Sequence, residues 1–384
     1  MKKLVKRKIL YISSSRADYG IVRNLLIKLN SLYYFDVNII VIGDHLDKSK
    51  GFTINEIYND KINILKKIPI NKNFYLKASD KLFFFQNNLS NALKKYSPDL
   101  VILLGDRKEI LASALACFFL NLKILHISGG EKTLGSSDDL FRHLISKLSD
   151  FHFVSEKDYK KRLLQLGENK KNIYVIGSLP TDNILKLKLL EKDNLEKKYN
   201  FKFRKKNILI TFHPDTSVAE YHANDFEILL SALSKYKQVL KIFTFPNADK
   251  GSNLIINKIN NFCKKNDNSI VIKSFGQVDY FSVLKNVSFL IGNSSSGITE
   301  APIFNKISIN LGNRQKGRLI SSTVINCRIS KSEITNKIKK ILNHNLRLKK
   351  NKIYFNKKNA STNALKYIKE IINKNKNIKI FEDL

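Results

Sequence analysis

Several short polar clusters in this 384-residue chain combine residue types suited to holding and transforming a small anionic substrate. Ser13-Ser14-Ser15-Arg16-Ala17-Asp18-Tyr19-Gly20 offers small side chains, an arginine able to clamp a phosphate or carboxylate, and an acid. A helix starting there would add its positive end, although the same residues also suit a serine-rich turn with Asp18 as helix cap. Gly105-Asp106-Arg107 sets a carboxylate beside an arginine, either as a ligand-holding or catalytic acid or as a salt-bridged cap. His126-Ile127-Ser128-Gly129-Gly130-Glu131-Lys132-Thr133 is followed by Ser137-Asp138-Asp139-Leu140-Phe141-Arg142-His143. Paired glycines let backbone approach a substrate closely. Glu131 and Asp138 bracket this loop and could act as acid and base on opposite faces of a sugar, a task that needs two groups with divergent pKa values. The plainer alternative is a solvated acidic loop that caps the next helix.

The second half of the chain carries four more clusters. His213 precedes a proline in Phe212-His213-Pro214-Asp215-Thr216, and Phe245-Pro246-Asn247-Ala248-Asp249 could grip hydroxyls from the equivalent place one strand later. Gly292-Asn293-Ser294-Ser295-Ser296-Gly297-Ile298-Thr299-Glu300 is the most informative. A small-residue turn into a helix start offers amides and a dipole to a diphosphate, and Glu300 could hold a ribose diol. Gly312-Asn313-Arg314-Gln315-Lys316-Gly317-Arg318 adds two arginines and a lysine near the same phosphate position, or forms a solvated basic loop. No glycine-rich dinucleotide or phosphate-loop element of the Gly-x-Gly-x-x-Gly or Gly-Lys-Ser/Thr kind occurs, so neither NAD nor ATP is supported. The histidines have no metal-ligand spacing, and His152, between Phe151 and Phe153, reads as structural.

These clusters need a scaffold that brings them together, and the apolar pattern supplies one. Strands are expected at Lys8–Ser14, Val37–Ile42, Leu100–Leu104, Ile124–Ile127, Phe151–Val154 and Asn172–Ile176. A second series is expected at Asn207–Phe212, Leu240–Phe245, Ser269–Ile272, Ser288–Ile291 and Ile307–Leu311. Helical patterns lie between them, including Asp18–Asn30, Lys108–Leu120, Leu140–Leu148, a charged stretch near Ile184–Lys198 and a basic helix at Asn359–Asn377. Short apolar runs alternating with helices mark parallel sheets wrapped on both faces. The expected fold class is α/β, with two Rossmann-like doubly wound domains and an interdomain cleft. The first spans residues 1–185, the second 200–355, and a C-terminal basic helix, 356–384, packs back on the first. Nearly all the polar clusters fall just past strand ends, where open parallel sheets bind ligands.

Composition narrows the class. The formal charge is +35, but 57 of the 68 basic residues are lysine and only 11 arginine. Arginine is the residue suited to bidentate phosphate and guanine contacts. The charge is therefore read as background composition, useful to an anionic substrate, and no nucleic-acid partner is expected. No apolar run approaches the ~20 residues that cross a bilayer, and the basic start runs straight into a strand, so neither membrane span nor signal peptide is read. Three scattered cysteines, Cys117, Cys263 and Cys327, point to a reduced cytoplasmic setting without disulfides or zinc.

Taken in order, the motifs resemble those of the hydrolysing UDP-N-acetylglucosamine 2-epimerases of sialic-acid and related nonulosonate pathways. The matching stretches are Ser15–Gly20, Gly105–Arg107, His126–Thr133, Arg142-His143, His213-Pro214, Asn247–Asp249, Gly292–Gly297 and Arg314–Arg318, from residue 8 to about 320. The resemblance implies a glycosyltransferase-B-like fold, a homo-oligomer (dimer or tetramer), no cofactor or metal, and UDP held mainly by the second domain. It implies that UDP-N-acetylglucosamine and water give N-acetylmannosamine and UDP through a 2-acetamidoglucal. Carried over by position, Asp106, Asp138 and His213 match catalytic places, and Arg16, Ser294, Ser295, Glu300 and Arg318 match nucleotide-binding places. Asp18, His45, Arg107, Arg142, Asn247, Asp249, Ser296 and Arg314 complete the expected substrate contacts. One departure stands out: many relatives carry a catalytic Glu where this chain has Ser128, so Glu131 or Asp138 is expected to supply that acid/base function. A 4-acetamido-4,6-dideoxy sugar remains an open substrate. The alternatives are a nucleotide-sugar glycosyltransferase of the same fold and a basic nucleic-acid-binding protein.

Overall fold

Ile9-Leu10-Tyr11-Ile12 shows how the chain builds its first sheet. Alternate side chains of a strand point to opposite faces, and here both faces are fully buried. Ile9 and Tyr11 join one core cluster, and Leu10 and Ile12 join another on the far side. A strand buried on both faces has to be apolar throughout and covered by helices above and below. The computed structural model describes residues 5–46, 53–69, 78–133, 137–214, 223–246, 251–343, 354, 359–376 and 378–383. It divides into two compact units.

Unit 1 comprises Met1–Lys132, Ser136–Asn183 and Lys357–Leu384. Its elements begin with β1 (Arg7–Ser13), α1 (Arg16–Asn30), β2 (Phe35–Ile42), α2 (Ile54–Asn59), β3 (Asn63–Ile68) and α3 (Ala78–Tyr96). They continue with β4 (Leu100–Leu104), α4 (Lys108–Phe119), β5 (Ile124–Ile127), α5 (Ser137–Leu148) and β6 (Phe151–Val154). The series closes with α6 (Lys157–Gln165), β7 (Ile173–Val175) and α7 (Leu179–Ile184), which reaches the unit boundary. The seven strands run parallel in the order β3-β2-β1-β4-β5-β6-β7.

Unit 2 comprises Thr133–Gly135 and Ile184–Asn356. It holds α8 (Lys192–Tyr199), β8 (Asn207–Thr211), α9 (Ala223–Leu233), β9 (Leu240–Thr244), α10 (Ser252–Lys264) and β10 (Ser269–Ile272). Then come α11 (Gly276–Asn286), β11 (Phe289–Gly292), a single turn α12 (Ser296–Thr299), β12 (Ile307–Leu311), β13 (Val324–Cys327) and α13 (Lys331–Leu342). Its six strands are parallel in the order β10-β9-β8-β11-β12-β13. Ile208 and Ile210 face the core under α9, α10 and α13, while Leu209 faces the core that holds Leu195 of α8 and Phe281 of α11. In both sheets the strand order reverses beside the first strand, at β1/β4 and β8/β11, and such switch points are where ligands bind.

The final helix, α14 (Ala360–Ile371), belongs to unit 1 and packs along α1. Its exposed first-turn donors are met by Asp182, which accepts from the backbone N–H of Asn359 (3.1 Å) and Ser361 (3.2 Å) and from the Ser361 hydroxyl. Lys123 closes the other end by donating to the carbonyls of Ile372 (3.0 Å) and Lys374 (2.5 Å). Of the charged stretch expected as a helix near 184–198, only the later part is helical, as α8; α7 ends at Ile184, and α8 packs on α11 in unit 2. Among the described residues no helix is long and apolar enough to cross a membrane.

Candidate functional site

At the switch point of unit 1, Ser13 ends β1 with its hydroxyl 2.8 Å from His45 Nε2, and His45 Nδ1 lies 2.9 Å from Thr53 Oγ1. His45 is completely buried, so this candidate binding residue braces the end of β1 from within. Ser15, not Asp18, caps α1: its hydroxyl accepts from the Asp18 N–H at 3.3 Å. The Asp18 carboxyl is thereby freed for another use. It accepts from the Ser14 hydroxyl at 2.5 Å. Burial raises its pKa, the Ser14 bond and the Arg107 charge pull it back, and the Asp106 charge raises it again. Asp18, Asp106 and Arg107 thus share one field, because β1 and β4 are neighbours in the sheet. The Arg16 side chain lies outside what the structure describes.

Asp106 follows β4 and receives a hydrogen bond from the Arg142 guanidinium, whose side chain is only 5% exposed. Arg142 also reaches Asp139 Oδ1 at 3.5 Å, one turn back on α5, and His143 Nε2 stands 3.6 Å from the other Asp139 oxygen. Arg107 pairs instead with Glu109 at 3.4 Å. Glu131 is half-buried in the loop after Gly130, and Asp138 is exposed in the first turn of α5. Asp139 is a residue the motif reading passed over. Its signal was the three-residue spacing to Arg142, which places both on one helix face.

The paired glycines also answer to packing within unit 1. A Cβ on Gly130, at φ +74°, would lie 2.3 Å from the Tyr159 carbonyl, and one on Gly129 would lie 2.9 Å from Ser146 Oγ. Gly130 is thus required by its own backbone and by that of Tyr159. Ser128 itself adopts φ +70°. His126 was quoted only as part of a motif, yet it is fully buried, with Nε2 2.8 Å from the Gly105 carbonyl and Nδ1 3.0 Å from Ser146 Oγ. Burial pushes its pKa down to about 3, so the ring is neutral and serves as a brace.

In unit 2 the end of β11 is pressed against β8. A Cβ on Gly292, at φ +152°, would fall 1.8 Å from the Thr211 carbonyl, so only glycine permits this approach. The next residue, Asn293, clamps His213 on both sides. Its Oδ1 accepts from the His213 N–H at 2.7 Å, and its Nδ2 donates to the His213 carbonyl at 2.8 Å. The Asn293 carbonyl in turn accepts from Gln315 Nε2 (2.9 Å) and Arg314 Nη1 (3.3 Å), so the basic loop after β12 folds onto the same strand end. Arg318 turns its Nε inward, where it has no hydrogen-bond partner among the described residues.

Ser294 and Ser295 are half-buried, and Ser294 Oγ accepts from the Ser296 N–H at 3.3 Å. The Ser296 hydroxyl lies 2.7 Å from the Tyr280 hydroxyl. Burial raises the pKa of Glu300, an effect that Ser296 partly offsets. The helix expected to direct a dipole at this place is one turn long, so the ligand-holding capacity rests on amides and hydroxyls, not on a macrodipole. A cavity of about 660 Å³ lies along the basic loop after β12, lined by Phe212, Asn293, Asn310, Arg314 and Gln315 among others. Asn310 Oδ1 and Gln315 Oε1 are buried there without hydrogen-bond partners among the described residues. Asn247 and Asp249 lie outside the described residues. Besides Asp139, the sequence reading missed Tyr280 and took Asn293 only as part of its motif.

In unit 1 the carboxylate–arginine cluster at the switch point suits a hydroxylated sugar, and in unit 2 the hydroxyl- and amide-rich strand end with its arginines suits a diphosphate. Comparison with known proteins settles the family. The model of the UDP-N-acetylglucosamine 2-epimerase family matches residues 28–369. The chain belongs to this family. It is 38% identical to the polysialic acid biosynthesis protein P7 of Escherichia coli, with 98% of each chain covered. It is 40% identical to the GDP/UDP-N,N'-diacetylbacillosamine 2-epimerase (hydrolyzing) of Campylobacter jejuni, with 85% of each covered. Among solved structures it shares its fold with the UDP-GlcNAc 2-epimerase of Neisseria meningitidis bound to UDP-GlcNAc, at a TM-score of 0.80 and 18% identity. That match covers 94% of this chain and 100% of the other. The doubly wound, glycosyltransferase-B-like fold class expected for this epimerase family member is therefore the one found.

Proposed function

We propose that this epimerase is hydrolysing and acts on UDP-N-acetylglucosamine or its 4-acetamido-4,6-dideoxy counterpart, releasing UDP and the free 2-epimeric sugar. The observation that carries this reading is the likeness, over 85% of both chains, to a relative named as a hydrolysing 2-epimerase. The relatives point to polysialic acid and diacetylbacillosamine chemistry as the setting. The chemistry asks for a base at C2. As the C2–H bond breaks, its electron pair forms the C1–C2 double bond and the C1–O bond to UDP breaks, leaving a 2-acetamidoglucal. Water then adds its oxygen to C1, and a proton reaches C2 from the opposite face.

In unit 1, Asp106, ion-paired with Arg142, suits the base. Asp18, whose burial favours the protonated form, suits a proton donor or a hydroxyl contact. Glu131 and Asp138 are proposed to share the role left open by Ser128, and His213, with Arg16, to assist departure of UDP. Asn247 and Asp249 would meet the nucleoside side, together with Ser294, Ser295, Ser296 and Glu300, while Arg314 and Arg318 balance the diphosphate charge. A homo-oligomer is part of the same proposal. Phe118 and Phe119 of α4 and Leu140 and Leu144 of α5 are exposed on two helices that touch each other, an apolar surface suited to a second copy.

The test is product analysis with each UDP-sugar in turn. Equimolar UDP and free 2-epimer support the proposal. A UDP-linked epimer without released UDP, or no turnover of either sugar, contradicts it.

A further inference from the structure

Outside the candidate site, His152 of β6 and Glu168 of the α6–β7 connection are buried together, with His152 Nε2 2.8 Å from Glu168 Oε2. The third member comes from the end of the chain. Lys379 Nζ lies 2.6 Å from the same carboxylate oxygen, and its side chain keeps only 27% of its surface exposed. The ammonium also donates to the carbonyls of Ser146 (3.0 Å) and Ser149 (2.6 Å). The last carbonyls of a helix lack intrahelical donors, and a cation there satisfies them and complements the dipole. Lys379 therefore caps α5. Its segment is anchored by the Glu382 N–H on the Gly167 carbonyl (3.1 Å) and by the Phe381 ring against Gly167, where any Cβ would come within 2.5 Å.

The capped end of α5 is connected to the candidate site by two short routes. Ser146 Oγ stands 3.0 Å from the carbonyl of Arg142 and 3.0 Å from His126 Nδ1. His126 Nε2 donates to the carbonyl of Gly105, the residue before Asp106. Both members of the Arg142–Asp106 pair thus rest on the turn of α5 that Lys379 holds.

We propose that Lys379 is a positioning residue and that Ile378–Asp383 is a strap fixing α5, so that Arg142 and Asp106 keep the geometry needed at the sugar C2. This rests on the epimerase reading for its catalytic consequence.

The test compares the full-length protein with Lys379→Met and with the double variant Lys379→Met/Glu168→Gln. In the single variant Lys147 Nζ, 3.1 Å from Glu168 Oε1, still faces the carboxylate; Glu168→Gln removes that buried charge, so the double variant separates loss of the cap from charge imbalance. Its kcat is expected to stay lower by about tenfold, with KM for the UDP-sugar within about twofold, because positioning is lost and nucleotide binding is not. Amides of Arg142–Ser149 are expected to exchange with deuterated solvent about tenfold faster. A double variant with the parent kcat, a loss confined to KM, or unchanged exchange in α5 overturns the proposal. If the parent turns over neither UDP-sugar, the epimerase reading fails on its own, and the exchange measurement still decides whether the strap exists.

Discussion

Asn293→Ala removes the two hydrogen bonds that hold His213 between β8 and β11. Asn293 is 3% exposed, so water cannot take over freely from its side chain. Each bond contributes about 0.5–1.5 kcal/mol net, and each orphaned partner costs about 1–3 kcal/mol. Some relaxation of the strand ends is expected, so the loss is about 3 kcal/mol. Gln315 and Arg314 donate to the Asn293 backbone carbonyl, which alanine keeps, so the loss falls on the placement of His213. A misplacement of about 1 Å at a reacting group costs on the order of a hundredfold in rate. The assay pairs urea denaturation with initial rates of UDP release. Asn293→Asp keeps the acceptor for the His213 N–H but sets a carboxylate oxygen against the His213 carbonyl, so it should be no better than alanine. An alanine variant destabilised by less than about 1 kcal/mol, with kcat/KM within about threefold of the parent, would refute the clamp.

Asp18→Asn tests the buried carboxyl. A carboxyl whose pKa is raised on folding contributes stability below its ordinary value of 3.8 and loses that contribution as pH rises through the folded value. The asparagine variant should therefore gain relative stability at neutral pH, with the gain vanishing as pH falls toward 4, while activity drops; thermal melts across pH check it. Asp182→Ala leaves the first-turn donors of α14 without their acceptor. It should cost about 2–3 kcal/mol and expose the chain near Asn359 to limited proteolysis, whereas an unchanged cleavage pattern would count against the cap. Gly292→Ala forces a Cβ to within 1.8 Å of the Thr211 carbonyl, so β8 and β11 must part. Soluble protein with wild-type melting and UDP affinity would contradict that close approach.

The sequence was most legible where burial is two-sided. Ile9–Ile12, Leu100–Leu104 and Ile208–Ile210 are continuous apolar runs because helices cover both faces of their strands. The two strands not expected, β3 and β13, are edge strands. Asn63-Ile64-Leu65-Lys66-Lys67-Ile68 and Val324-Ile325-Asn326-Cys327 carry polar residues that an edge tolerates and a central strand does not. At the site, Asp106, Arg142, His213 and the Gly292–Ser296 turn were visible because polar residues past a buried strand are conspicuous. The partners that fix them were not. Asn293 to His213 spans 80 residues and Lys379 to Ser146 spans 233, and such pairings follow from sheet order, not from local spacing. Gly129 and Gly130 were visible, but the packing they answer to was not, since the atoms they meet belong to Ser146 and Tyr159.

The proposed reaction turns on one bond, C2–H of the sugar, being broken before a free sugar leaves. Turnover of UDP-N-acetylglucosamine or its 4-acetamido counterpart in deuterated water, followed by NMR of the products, observes it directly. Elimination followed by hydration yields UDP together with a free 2-epimer carrying deuterium at C2. A released sugar that keeps its original hydrogen at C2, or an epimer still joined to UDP, would contradict it.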